Sequence, residues 1–367
     1  MAKKAFWLAA ALVLCLIFSC RGRSAWKGSI ETIDGVQIVR NPKAPMYPDG
    51  ALELREELSI GTAEGAEEYM FIRLRGLFID DQGSIYTLDQ RKPRIDVFDR
   101  DGRHVRSIGR KGQGPGEFQT PFFIAHSPSG EILVGEMARL SFFDRSGGFL
   151  RSQNNSVGPL AFVKYLANGD AVGTRMVMDE EKPRYDVVLC GPDLQQKRAL
   201  TFSAMPDPSA KFSLFTSVVR WDISAGQEII CASGEGDYLI SIFDGSGRLV
   251  RKILKDHDPV PVSAADIDYQ MKKHGIQSRD EVTVPKFLPP TSWAYADEEG
   301  RIYISSWQRD PDTEISLFNI FDPEGRYLCD FRFPGEPLVF KDGKLYAVVQ
   351  DYEGIQYVKR FKIIWKH

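Results

Sequence analysis

Histidine, cysteine and one glycine-dense stretch are the places where this 367-residue sequence could hold chemistry. The stretch is Gly109 to Pro121, GRKGQGPGEFQTP, in which Gly112, Gly114 and Gly116 crowd around Pro115. A phosphate cradle made from such glycines needs a strand before it and a helix after it, so that free amides at the helix N-terminus face the anion. The residues that follow, PFFIAH, read as a strand instead. The stretch is therefore expected to carry the chain from one strand to the next. Its glycines permit positive φ and close backbone approach, and Pro115 and Pro121 hold extended segments.

A zinc site needs several histidines, cysteines or carboxylates converging from different elements. Of the five histidines, His104, His257 and His367 fall on an outer strand, in a loop and at the terminus. His126 is on a strand and His274 in an insertion, and two scattered imidazoles make no zinc set. Carboxylates at strand ends are abundant, which leaves a structural or catalytic calcium ion open, but no spacing selects one. The hydrolase motif G-x-S-x-G is missing, and FDGSGR (Phe243 to Arg248) only imitates it. Cys190, Cys231 and Cys329 sit in VVLC, IIC and YLCDF, apolar strand-like settings that suit small buried hydrophobes better than a disulfide.

The other two cysteines belong to a different region. Lys3 and Lys4 precede the apolar run AFWLAAALVLCLIFS, too short for a comfortable membrane span, and Cys20 follows Ser19. Residues 1–19 are expected to be an export signal. IFSC resembles a bacterial lipobox, which implies cleavage before Cys20 and lipidation of that cysteine. The whole chain is 43% hydrophobic and 26% charged, ordinary globular composition. A formal charge of −3 gives no concentrated cationic surface, so nucleic acid is excluded as a partner.

What must position any site is a repeat. Six segments share a short apolar strand, a polar turn with glycine, and a second apolar strand, beginning with LFIDDQGSIYTLD and FIAHSPSGEILVGE. Their turn glycines are Gly83, Gly130, Gly169, Gly226, Gly300 and Gly343. Each of the first five is followed by a second hairpin, such as RIDVFDRDGRHVRSIG or LISIFDGSGRLVRKIL. Alternation at period two with Asp-x-x-Gly turns is a hairpin signature, and units of about 45 residues have the size of propeller blades. The sixth unit is one strand short at the C-terminus, and LELREELSIGTAEG (Leu52 to Gly65) supplies it from the other end. The expected fold is all-β, a six-bladed β-propeller over residues 52–365, closed by an N-terminal strand. Residues 20–51 are expected to form an anchor and an arm with no assigned place.

The run IYTLDQRKPRIDVFDRDGRHVRSIGRKGQGPGEFQTP resembles the repeat of the NHL-type six-bladed β-propellers. With the lipobox, the chain is similar to the six-bladed propeller lipoproteins of Gram-negative bacteria. The resemblance implies a protein held by lipid on the periplasmic side of the envelope; with Arg21 after Cys20, it implies the outer membrane. Amidating lyases and sugar lactonases in the wider propeller class carry a metal at the hub. The resemblance therefore keeps a metal-dependent lyase or lactonase-like hydrolase as the alternative to a non-catalytic binding protein.

In a propeller the residue starting each inner strand is aimed at the channel mouth. Reading those positions yields Arg73, Arg75, Phe122, Lys164, Arg220, Trp221 and Trp293. Guanidinium and indole groups together suit an anionic or sugar-like ligand, or an envelope protein partner. Between the fourth and fifth units an insertion, residues 255–290, is far longer than the other crossings. Ser263 and Asp266 resemble a capping box, and Ala264 to His274 with Gly275 behind it predicts a short helix over the channel face.

Overall fold

Alternating apolar residues build six sheets, and in five of them one stretch of chain supplies four consecutive antiparallel strands. The computed structural model describes residues 26–179, 182–207, 210–216, 218–234, 236–309 and 315–366. The export signal, Cys20 and His367 lie outside the described residues. The inner strands are Leu74–Ile79, Phe123–His126, Leu160–Tyr165, Arg220–Ile223, Ala294–Ala296 and Glu336–Lys341. Blade six is Glu336–Lys341, Lys344–Gln350 and Gln356–Trp365, completed by Leu52–Ile60. Leu52 lies opposite Trp365 and Ile60 opposite Val358, so the two ends of the propeller share one sheet. Closure leaves no open blade at the seam, which removes an edge that would pair with other chains.

The core is divided among the blades. Each interface between neighbours holds its own buried cluster. Ile240, Ile253, Ile302 and Phe321 meet between blades four and five, and Ile60, Phe71, Ile85 and Phe98 between six and one. The Asp-x-x-Gly turns take part in this packing. In blade five, Asp322 accepts from the amide of Arg326, and Gly325 at φ 91° lies against Ile253 of blade four. A Cβ there would come within 2.7 Å of the Ile253 side chain, so glycine is required both by dihedral and by space.

Gly109 to Pro121 is a compact crossing between blades one and two. Arg110–Lys111 pairs in parallel with Glu117–Phe118, and Phe118 is fully buried. The amide of Gly112 donates to the Phe118 carbonyl and that of Gly114 to the Glu117 carboxylate. The glycines bend the chain around Phe118.

The arm is placed by the structure. Ser29–Ile33 and Val36–Asn41 form a hairpin over Asp34 and Gly35, both at positive φ. Val36–Asn41 then pairs in parallel with Arg251–Lys255, extending blade four to six strands. Buried Asn41 closes the gap to blade five. Its carbonyl oxygen accepts from Trp26 Nε1 and the Tyr327 amide, and its amide donates to the Leu254 and Gly325 carbonyls. Met46 and Tyr47 donate to the Tyr327 and Leu328 carbonyls, so the chain crosses blade five before entering blade six.

The predicted helix is present over Ala264–His274. Ser263 Oγ accepts from the Asp266 amide while the Asp266 carboxylate accepts from the Ser263 amide, and Gly275 ends the helix at φ 69°. Met271, Val282 and Leu288 pack with Leu214 and Phe215 from the crossing between blades three and four, and with Trp307 of blade five. The insertion thus has a small core of its own. Among the described residues no helix is long and apolar enough to cross a membrane.

Candidate functional site

Strand order decides which loops can cooperate. Crossings between blades and loops joining second to third strands meet at one end of the ring. Turns within the other hairpins meet at the opposite end. The channel face is the first of these, and the insertion lies on it.

In blades one, two and five a side chain in or just after the second strand holds the start of the inner strand. The Asp89 carboxylate accepts from the amides of Ile72 and Arg73, at 2.7 and 3.2 Å. Glu136 does the same for Gln119 and Thr120, and Ser305 Oγ accepts from the Trp293 amide at 2.9 Å. These bonds set the positions from which the channel-face side chains project.

Arg220 of blade four and Trp293 of blade five are brought together. The guanidinium carbon lies 4.0 Å from the centre of the indole ring, a cation–π contact. Arg220 is half-buried, and burial lowers its pKa while the nearby Tyr295, Tyr185 and Glu336 oppose that shift. Among the described residues no carboxylate is within ion-pair distance of it. Trp293 remains 39% exposed and stacks on buried Tyr295. A desolvated cation laid on an aromatic plane, without a counter-ion, is primed to accept an anion.

Arg73 and Arg75 stand exposed at the same mouth, with Arg75 Nε donating to Gln90. The Arg75 pKa is lowered, by burial against the channel wall and then by Arg73, with Glu336 acting against both. Glu336 begins the inner strand of blade six and also pairs with Lys273 of the insertion helix at 3.1 Å. It is an acidic member of the mouth. Applying the same start-of-strand reading to FPGEPL identifies it.

The other three candidates are engaged elsewhere. Trp221 follows Arg220 on an extended strand and so projects from the opposite side of the sheet. It packs between blades three and four, its indole N–H donating to Thr174 Oγ1 at 2.9 Å. Lys164 is paired with the Asp222 carboxylate, which also accepts from the amides of Ile223 and Ala296. That arrangement ties blades three, four and five at the hub. Phe122 packs edge-on to Phe123 and Phe162 between blades two and three.

The titratable groups considered for metal chemistry are dispersed. His126 stacks on Phe78, and its pKa is lowered, mainly by burial. His274 lies against Phe212, and His104 contacts Asp96 on the outer part of blade one. Among the described residues no three His, Cys, Asp or Glu side chains converge. The strand-end carboxylates hold turns instead. Asp80, Asp99, Asp244 and Asp351 each accept from amides two and four residues on. Cys190, Cys231 and Cys329 are buried free thiols in three blades, and burial pushes Cys329 up to about 12.

Fold and topology together make this chain a six-bladed β-propeller. A family model, DUF5128, described as a 6-bladed beta-propeller, matches residues 66–169. No curated protein matches the sequence. The chain is similar in structure to a Bacteroides fragilis protein described as exported, at 12% identity and TM-score 0.58, covering 90% of this chain and all of the other. It is also similar to a DUF4221 family member from Bacteroides vulgatus, at 13% identity and TM-score 0.55, covering 85% and 98% of the two chains. These likenesses establish the fold.

Proposed function

We propose that this protein is an exported propeller, lipid-anchored through Cys20 on the periplasmic side of the envelope, that binds a carboxylate-bearing partner at its channel face without covalent chemistry of its own. The reading is supported by one observation above all: Arg220 rests on Trp293, half-buried and without a counter-ion among the described residues. Proteins seldom leave a desolvated guanidinium unpaired for stability alone, because transferring charge from water is costly. Arg73 and Arg75 add long-range attraction for an anion, and Glu336 sets a limit on how much negative charge the mouth accepts.

Intrinsic tryptophan fluorescence tests this directly. Titration with glucuronate and with N-acetylglutamate, a sugar acid and an amino-acid carboxylate, should give a saturable change for at least one. The change should be lost in Arg220→Met and Trp293→Leu and kept in Trp221→Phe. Saturation that persists unchanged in Arg220→Met, or no saturable response to either carboxylate, would overturn the reading.

A further inference from the structure

We propose that the channel face docks a protein, one presenting carboxylates among apolar side chains; this rests on the reading that Arg220 awaits a carboxylate and names its source. Large exposed apolar side chains stand in the loops of this face. Tyr352, Val157 and Met178 are 95%, 89% and 71% exposed. Ile72, Phe212 and Phe287 are exposed as well. Each belongs to a blade crossing or to a loop between second and third strands, so all six surround one end of the channel. Among the described residues no large exposed apolar side chain lies within the hairpin turns of the opposite face, which are rich in Asp and Gly; Ile33 and Phe149 flank two of them, and Ile30, Val105, Leu150, Phe162 and Phe202 lie along strands. Scattered surface apolars need no explanation, but six of them gathered in the loops of one face do.

The recessed guanidinium, not the net charge of the rim, selects the occupant. The rim is of mixed charge: Arg73, Arg91 and Lys272 stand exposed and, among the described residues, without an ion pair, and so do Glu64, Asp256, Asp280, Glu281 and Glu353. Arg220 lies deeper, between blades four and five. A flat lipid surface resting on the rim would not reach a recessed guanidinium, whereas a protruding Asp or Glu side chain would. Charged residues of both signs among apolar side chains, around a recessed aromatic and arginine pair, have the make-up of a protein docking surface, with a hot spot at its centre and a rim that excludes water.

The probe is a library of random 12-residue peptides displayed on phage and selected on the purified protein. Synthetic consensus peptide is then titrated by fluorescence anisotropy. Enriched sequences should carry Asp or Glu beside Leu, Phe or Trp. Affinity should fall at least tenfold in the triple variant Val157→Ser, Met178→Ser, Tyr352→Ser and at least tenfold in Arg220→Met. It should not change in Leu150→Ser, on the outer strand of blade two. The three rim positions are exposed loop sites, so folding is retained. Absence of an acidic and apolar consensus overturns the proposal, as does peptide binding that the triple variant leaves intact. Loss in the triple variant with full binding in Arg220→Met supports a docking rim but defeats the reading of Arg220. The converse keeps Arg220 as an anion site and removes the rim. Sedimentation with vesicles of 70% phosphatidylcholine and 30% phosphatidylglycerol completes the test, since binding abolished by the triple variant would make this a membrane face and overturn the proposal.

Discussion

Leu52 sits directly opposite Trp365, so the first strand of the ring is held by the last. A chain beginning at Gly61 would leave blade six with three strands and expose the apolar residues beneath Leu52 and Leu54, which pack with Leu345 and Ala347. Such a chain is expected to lose cooperative unfolding and to associate through the freed edge, as read by thermal melting and size-exclusion chromatography. A monomer with an unchanged melting curve would show that closure contributes little.

Asn41 joins four hydrogen-bond partners from three parts of the chain while fully enclosed. Asn41→Ala should therefore cost about 2–4 kcal/mol, because buried donors and acceptors on both blades lose their partner. The urea midpoint should fall with an unchanged slope. Asn41→Asp keeps the acceptor and removes both donors, and is expected to recover only part of the loss.

Arg220 behaves differently if it exists for binding. Removing a half-buried cation that has no counter-ion relieves a desolvation cost, so Arg220→Met should be neutral or stabilising by up to about 1 kcal/mol. A loss of more than about 2 kcal/mol would place Arg220 among the structural residues.

Acid sensitivity follows from the turn carboxylates. Hydrogen bonds from Ser246 and the Arg248 amide lower the Asp244 pKa from 3.8 to about 2. A depressed carboxylate contributes stability that is complete above the unfolded value and lost as pH falls through the folded one. Between about pH 4 and pH 2, Asp244 should thus lose about 1 kcal/mol of stabilisation, after allowing for solvent screening. Asp322, whose pKa burial raises, works in the opposite sense. Urea midpoints at pH 5, 3 and 2 should fall less steeply for Asp244→Asn than for the native protein.

The insertion has its own apolar cluster, separate from the six between blades. Replacing Val262–Val282 by a short Gly-Ser linker should retain the β-rich circular dichroism and a cooperative melt within a few degrees. Collapse of the melt would mean that Leu214, Phe215 and Trp307 need this cover to keep the ring closed.

Most of the architecture was legible from local pattern. Blade number, seam and turns each follow from rules that act within a few residues: alternation at period two, Asp-x-x-Gly at a turn, and a unit left one strand short. The helix was equally legible, since Ser263, Asp266 and Gly275 satisfy its ends with groups adjacent in sequence. The arm was not, because parallel pairing of Val36–Asn41 with Arg251–Lys255 joins residues more than 200 positions apart and leaves no local signal.

The candidate site divides along the same line. Residue types at the starts of inner strands named Arg220, Trp221, Trp293 and Lys164 alike, because sequence position specifies where a strand begins but not what its side chains meet. Tertiary structure turned Trp221 to Thr174, bound Lys164 to Asp222, and left Arg220 facing Trp293. Sequence determined that six sheets would form and which cations and aromatics stand where their inner strands start. Only packing of one blade on the next decided which of them kept a free hand, since a side chain's partners come from whichever distant segment the ring brings beside it.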